Sequence, residues 1–274
     1  SVARVLVFLM AALYGWYSWK QLPLEAYPDI ADTSSQVVTQ VNGLAAEEVE
    51  QQITIPLERA IMGAVGGREG AVQELADYFK TRPHSMATML ANHDIFAGQR
   101  IWDQVQGDTA RYRLAAASLL LLPGIPFLYY GEEIGQAGLP QLKGDGPIRG
   151  PMSWNAGGGF STSAQPFRPT SPNAATHNAE AQRADPGSLF HHYRQLVALR
   201  RQHAALHSGR YEAVQVDGTL LCFERATGAE RLRVCLNYGP AARALPARGL
   251  LLWAAPQAPA DTLPAWGVRV ERLV

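Results

Sequence analysis

The chain has 274 residues, of which 47% are hydrophobic and 18% are charged. This length and composition predict one large or two smaller globular domains with a substantial apolar core. The 24 Lys and Arg residues balance the 24 Asp and Glu residues, so no nucleic-acid or acidic partner is indicated. The two cysteines are too few for a disulfide framework, and no Cys/His cluster has zinc spacing. We therefore expect no metal and no cofactor.

The first apolar stretch covers residues 2–19, VARVLVFLMAALYGWYSW. It is slightly shorter than the ~20 residues with which a helix crosses a bilayer. Trp16, Tyr17 and Trp19 form an aromatic cluster typical of a membrane interface, with Lys20 just beyond it. We predict a membrane-associated helix here, and a buried helix of a soluble domain is the alternative.

The next segment predicts a short strand over Gln36–Val41, a turn at Asn42-Gly43, and a helix over Ala45–Met62 that is interrupted near Pro56. The motifs LPLEAYPDI, GLAAEEVEQQIT and PLERAIMG follow one another here. Residues 1–66 thereby resemble the N-terminus of resistance-nodulation-division efflux pumps of the heavy-metal type. The resemblance implies a membrane helix and the start of a periplasmic porter domain. It places the chain at the inner membrane and periplasm if the helix inserts, and otherwise among soluble bacterial proteins.

A glycine-rich segment, GAVGGREG at residues 63–70, ends the pump-like pattern. Segments of this kind are expected at boundaries. We predict three domains, at residues 1–66, 68–208 and 209–274. Because the two sides were shaped for different partners, we expect residues before about Arg68 to share no core with those after it.

Helix and strand patterns alternate after this boundary. AVQELADYFK predicts a helix, SMATMLA a strand, TARYRLAAASLLLL a helix capped by Asp108, and PFLYY a buried strand. Asp185 is predicted to cap a further helix that starts at Pro186. This alternation indicates a parallel α/β sheet.

From Tyr211 onward the apolar pattern has a period of two. LLCFERATGAERLRVCLNYG predicts a β-hairpin around ATGAE, with Cys222 and Cys235 on one face. Whether these cysteines are oxidised is left open by the sequence. Strands at RGLLLW and GVRVERLV complete a predicted small antiparallel β-sandwich.

Four motifs of this second part occur in the order found in the α-amylase family of glycoside hydrolases: LANHD, LPGIPFLYYGEEIG, PMSWNAGGGFS and ADPGSLFHHYRQLVALRRQHAAL. Residues 68–274 therefore resemble the C-terminal part of such an enzyme. The resemblance implies the seventh and eighth strands of a (β/α)₈ barrel with their helices, followed by a C-terminal β-domain. It also implies an α-glucan or maltooligosaccharide as the partner.

The resemblance assigns candidate site residues within and after LANHD. Asp94 corresponds to the carboxylate that stabilises the transition state, His93 to the histidine that binds the same sugar, and Arg100 to a pocket-lining residue with altered spacing. The family's nucleophile and general acid come from the fourth and fifth strands, for which no sequence can be assigned here. Glu132 and Glu133 are expected to be structural or to line a subsite, and so not to replace the missing nucleophile and acid. We therefore expect no activity from this chain alone. The alternatives are a membrane-anchored carbohydrate-binding module and an efflux-pump fragment.

Overall fold

The computed structural model describes residues 55–273, except 82–83, 95–97 and 164, together with Met10, Tyr14 and Trp16. The chain divides into two units, residues 1–38 and 39–274. In the first unit the three described residues are helical.

Most of the predicted membrane helix over residues 2–19 lies outside the described residues, and so does the predicted strand over Gln36–Val41. Among the described residues, no helix combines the length and the apolar character that a bilayer span requires. The membrane segment therefore stays a prediction.

The described part of the second unit, from residue 55, starts with helices, continues with two short strands separated by helices, and ends in β-structure. Its helices are α1 (Ile55–Val65), α2 (Glu69–Thr81), α3 (Ile101–Gln104), α4 (Thr109–Leu121), α5 (Ala179–Ala184), α6 (Leu189–Gln202) and α7 (Ala204–Ser208), with a 3₁₀ turn at Gly146–Ile148. Its strands are β1 (Ala87–Met89), β2 (Ile125–Phe127), β3 (Arg210–Asp217), β4 (Leu220–Ala226), β5 (Arg231–Asn237), β6 (Arg243–Ala244), β7 (Leu250–Ala255), β8 (Thr262–Leu263) and β9 (Val268–Arg272).

Helices α1 and α2 form a hairpin whose turn contains Gly67 at a φ of 81°, a conformation that favours glycine. At Gly63 a Cβ would lie 2.9 Å from the Cβ of Ala71, so glycine permits the two helices to approach closely. Leu57 and Ile61 are each 1% exposed and belong to the main apolar core together with residues of α2, α4 and the C-terminal sheet. The expectation that residues before Arg68 share no core with those after it is wrong.

Strands β1 and β2 pair in parallel, with Ala87 opposite Ile125 and Met89 opposite Phe127. Helix α4 connects them, and Asp108 caps it by accepting hydrogen bonds from the backbone N–H groups of Ala110 and Arg111, as predicted. A parallel pair joined by a helix is the repeating unit of a βα barrel.

The cap predicted for the following long helix is wrong. Helix α6 starts at Leu189, and the Ser188 side chain accepts a hydrogen bond from the N–H of His191. Asp185 instead lies at the C-terminus of α5. Both residues are good caps, and the sequence alone did not show that a short extra helix ends at Ala184, just before Asp185.

Arg200 of α6 is buried and holds the C-terminal end of α4. Its guanidinium donates to the carbonyl oxygens of Leu120 and Leu122, at 2.6 and 3.3 Å, and to that of Gly124 at 2.5 Å. Burial lowers the pKa of Arg200 to about 10, so the group remains charged at neutral pH. A cation at this position satisfies the free carbonyls and complements the negative end of the helix dipole.

The C-terminal part forms a five-stranded antiparallel sheet in the order β3-β4-β5-β9-β7. The predicted hairpin is confirmed as β4 and β5, with Phe223 opposite Val234. Cys222 lies opposite Cys235, and the two form a disulfide. A separate two-stranded sheet, β6 with β8, is tied to this layer by Arg269, which donates to the carbonyl oxygen of Thr262 at 2.6 Å.

Candidate functional site

The candidate site begins where β1 ends. Five residues after Met89 the chain reaches Asp94, whose N–H donates to the Asn92 side-chain oxygen at 2.7 Å in a tight polar turn. The His93 Nε2 atom lies 3.0 Å from the Asp94 Oδ2 atom. The two side chains are 69% and 54% exposed, so the pair faces solvent at the carboxyl end of a parallel strand, where βα barrels place their chemistry.

Arg149 connects this turn to the loop that follows β2. Its Nε donates to the His93 carbonyl oxygen at 2.8 Å, and its Nη2 donates to the Asp94 Oδ1 atom. The same Nη2 lies 2.7 Å from an oxygen of Asp145, one turn earlier across the 3₁₀ segment. Two loops thereby meet in one charged cluster of His93, Asp94, Asp145 and Arg149.

Two tyrosines just past β2 hold the Arg149 loop in place. The Tyr129 hydroxyl donates to the Ile148 carbonyl oxygen at 3.2 Å, and the Tyr130 hydroxyl donates to that of Gly150 at 2.6 Å. These contacts bracket Arg149 on both sides. The position of Arg149 against Asp94 is therefore fixed by the end of the second strand.

Arg100 lies beneath this tyrosine pair and is only 2% exposed. Its Nη1 donates to the Tyr130 carbonyl oxygen at 2.7 Å, and its guanidinium carbon lies 4.9 and 4.7 Å from the ring centres of Tyr129 and Tyr130. Stacking of this kind is typical of arginine. The structure thus places Arg100 as a support of the tyrosines, beneath the residues that face solvent.

Glu132 and Glu133 follow the tyrosines and differ from Asp94 in their environment. Burial raises the pKa of Glu132 well above its ordinary value, although the Arg100 charge opposes this shift. Burial also raises the pKa of Glu133. Glu132 is 3% exposed, so its carboxyl lies below the surface on which Asp94 faces solvent.

Within the part of the chain that the structure describes, no group of three His, Cys, Asp or Glu residues could hold a metal ion. His192 of α6 lies against α4, with Nε2 3.0 Å from the Arg113 carbonyl oxygen, and burial lowers its pKa to about 4.

The arrangement combines a parallel βαβ unit, a polar cluster at its carboxyl edge and an antiparallel β-domain behind it. These features are those expected of the C-terminal part of a (β/α)₈ barrel with an adjoining β-domain. Residues 66–209, more than half of the chain, match the family of the α-amylase catalytic domain, so the chain belongs to the α-amylase family. Residues 1–70 match the AcrB/AcrD/AcrF family, which confirms the two resemblances found in the sequence.

Known relatives and solved structures agree with this assignment. The chain is 32% identical over 227 residues to the "Probable alpha-glucosidase" of Rhizobium meliloti, covering 73% of this chain and 41% of that protein. It is 29% identical over 174 residues to the oligo-1,6-glucosidase of Parageobacillus thermoglucosidasius, covering 48% of this chain and 31% of that protein. The α-amylase of H. orenii has a similar fold, with a TM-score of 0.59, 24% identity, and coverage of 80% of this chain and 48% of the other. The chain spans less than half the length of each of these proteins.

The structure brings two of the three predicted site residues together. His93 and Asp94 are in direct contact and exposed, whereas Arg100 is buried beneath Tyr130. Sequence reasoning missed Arg149, although it stands two residues before the recognised PMSW motif. A basic residue beside a recognised loop motif was the signal that could have identified it.

Proposed function

We propose that this chain is part of a glycoside hydrolase of α-linked glucans or maltooligosaccharides, and that the 274 residues bind such a sugar without hydrolysing it. The observation that supports the binding is the exposed Asp94 carboxylate, 3.0 Å from His93 at the end of a barrel strand. The names of the relatives, an α-glucosidase and an oligo-1,6-glucosidase, support the class of sugar.

The ion pair between Asp94 and Arg149 is compatible with sugar binding. Both side chains are substantially exposed, at 54% and 40%, and exposed ion pairs contribute only about 0–1 kcal/mol. Sugar hydroxyls that donate to a carboxylate also form charge-assisted hydrogen bonds, so they can replace a contact whose net contribution is this small. We therefore expect a bound sugar to take the place of Arg149 or His93 on one oxygen of Asp94.

The absence of turnover follows from the chemistry of glycosidic cleavage. A retaining glycosidase needs a nucleophilic carboxylate and a protonated acid about 5 Å apart. In the α-amylase family these groups follow the fourth and fifth strands, and we can assign neither of them in this chain. Asp94 can stabilise charge on a sugar ring, but it has no assigned partners to attack the sugar or to protonate the leaving oxygen.

Calorimetric titration of the full chain with maltotriose tests the binding. We expect Asp94→Asn to weaken the affinity at least tenfold, since the neutral amide loses the charge that strengthens the hydrogen bonds. Asp217→Asn is the matched control, because Asp217 is an exposed carboxylate of the C-terminal sheet. Equal affinity in the wild type and in Asp94→Asn, or no binding at all, would contradict the proposal.

A membrane-anchored carbohydrate-binding module is the second candidate. It is favoured by the match of residues 1–70 to a membrane-transporter family, with the predicted helix over residues 2–19 as the anchor. This candidate predicts the same maltotriose binding and, in addition, association of the full chain with lipid vesicles. A fragment with transport activity is not supported, because the residues that carry ions in such pumps have no counterpart in the pump-like motifs.

A further inference from the structure

One face of the two-stranded parallel sheet is open to solvent. Because paired residues of adjacent strands lie on the same side of a sheet, Ala87, Met89, Ile125 and Phe127 share one face. Ile125 and Phe127 are 37% and 43% exposed, whereas Thr88 on the opposite face is 2% exposed. In complete α/β proteins both faces of a parallel strand are covered. The exposed face is therefore the one that points to the inside of a barrel.

Two further exposed apolar side chains follow β2 directly along the chain. Leu128 and Tyr130 are 43% and 40% exposed. Four of the eleven exposed large apolar side chains of the described residues thus lie within residues 125–130. Exposed apolar side chains that lie together in a patch mark an interaction site.

We propose that this surface, Ile125, Phe127, Leu128 and Tyr130, docks the complementary part of an α-amylase-family barrel, the polypeptide that carries the remaining six βα units. The proposal rests on the proposed function, since it assumes that Asp94 belongs to a family site. The occupant follows from the geometry: the chain contributes two parallel strands, and a barrel of this type closes with eight. In the H. orenii α-amylase, 52% of the chain lies outside the match (100% less the 48% covered).

A second copy of this chain fits the surface less well. Two copies supply four strands, which leaves the barrel open and the same apolar face uncovered. A six-unit partner supplies both missing edges and an apolar inner face in one body. It also brings its own strand ends to the rim at which Asp94 lies.

Co-expression of the full chain with a partner fragment tests the docking. The probe is the part of the Rhizobium meliloti α-glucosidase that precedes its match to this chain, and the assay is light scattering after size-exclusion chromatography. We expect a 1:1 complex in which the amides of residues 125–130 exchange hydrogen more slowly than in the chain alone. Phe127→Asp should weaken the complex at least tenfold, because it places a charge in an apolar interface.

Leu250→Asp is the matched control, since Leu250 is 62% exposed on β7, an edge strand of the C-terminal sheet. It should leave the complex unchanged. The proposal is overturned by the absence of a complex, by a complex that tolerates Phe127→Asp, or by a dimer of the chain alone that Phe127→Asp dissociates. Maltotriose binding to the uncomplexed chain is measured separately, so failure of docking is distinguishable from failure of the sugar site.

Discussion

Truncation of Ile61 tests whether the pump-like helix α1 is part of the enzyme-like core. Ile61 is 1% exposed and lies in one apolar cluster with residues of α2 and α4, although it falls within the match of residues 1–70 to the pump family. Removing a buried Ile side chain down to Ala costs about 2–5 kcal/mol, and Ile→Val about 0.5–1.5 kcal/mol. For a domain of this size, each kcal/mol lost from the free energy of unfolding lowers the melting temperature by roughly 2–4 °C.

We therefore expect Ile61→Ala to lower the main melting temperature by roughly 4–20 °C, and Ile61→Val to give a smaller decrease in the same direction. Circular dichroism during thermal unfolding of the full chain, with urea titration at 25 °C, measures both. Glu74→Ala on the exposed face of α2 is the control and should change stability by less than about 0.5 kcal/mol. If Ile61→Ala behaves like Glu74→Ala, α1 does not pack in the core, and our account of the junction is wrong.

Three further predictions concern stability. Arg200→Met should lower the free energy of unfolding by about 2–5 kcal/mol in urea titration, because three buried carbonyls lose their donor. Arg201→Met, at an exposed position, is the control and should have little effect. Equal effects of the two substitutions would show that Arg200 does not cap α4. Burial lowers the pKa of His192 to about 4, so as the pH drops the unfolded chain binds a proton at this imidazole before the folded chain does. The free energy of unfolding should therefore fall as the pH drops from about 6.5 toward 4, by at most about 1.4 kcal/mol per pH unit. His192→Phe should flatten this part of the pH profile, and an unchanged slope would show that other groups cause it. Reduction of the Cys222–Cys235 disulfide, which spans 13 residues, should cost about 3 kcal/mol; two free thiols in the denatured, unreduced chain would exclude the bond.

Local patterns predicted most of the elements because each depends on neighbours in the sequence. The β4–β5 hairpin follows from the apolar pattern on both sides of ATGAE, and the opposition of Cys222 and Cys235 follows from the same register. The cap of α4 at Asp108 is a local contact as well. Such features need no knowledge of what packs against them.

Contacts between distant segments could not be predicted from the sequence. The packing of Ile61 against the later helices joins two stretches with different family matches, and composition offers no signal for it. Arg149 reaches Asp94 across 55 residues, and Arg100 is buried where Tyr129 and Tyr130 stack on it. The residue types suggested chemistry, whereas tertiary packing decided which side chains reach solvent.

Hydrolysis of a chromogenic maltooligosaccharide by the purified 274-residue chain tests the central claim most directly. Asp94 can stabilise a transition state only when other groups attack the sugar and protonate the leaving oxygen. When catalytic groups act as a unit, the effects of removing them on the rate are not additive. We expect a rate equal to the background for the wild type and for Asp94→Asn alike. Measurable hydrolysis that Asp94→Asn abolishes would contradict the account, and would show that the chain itself supplies a nucleophile and an acid.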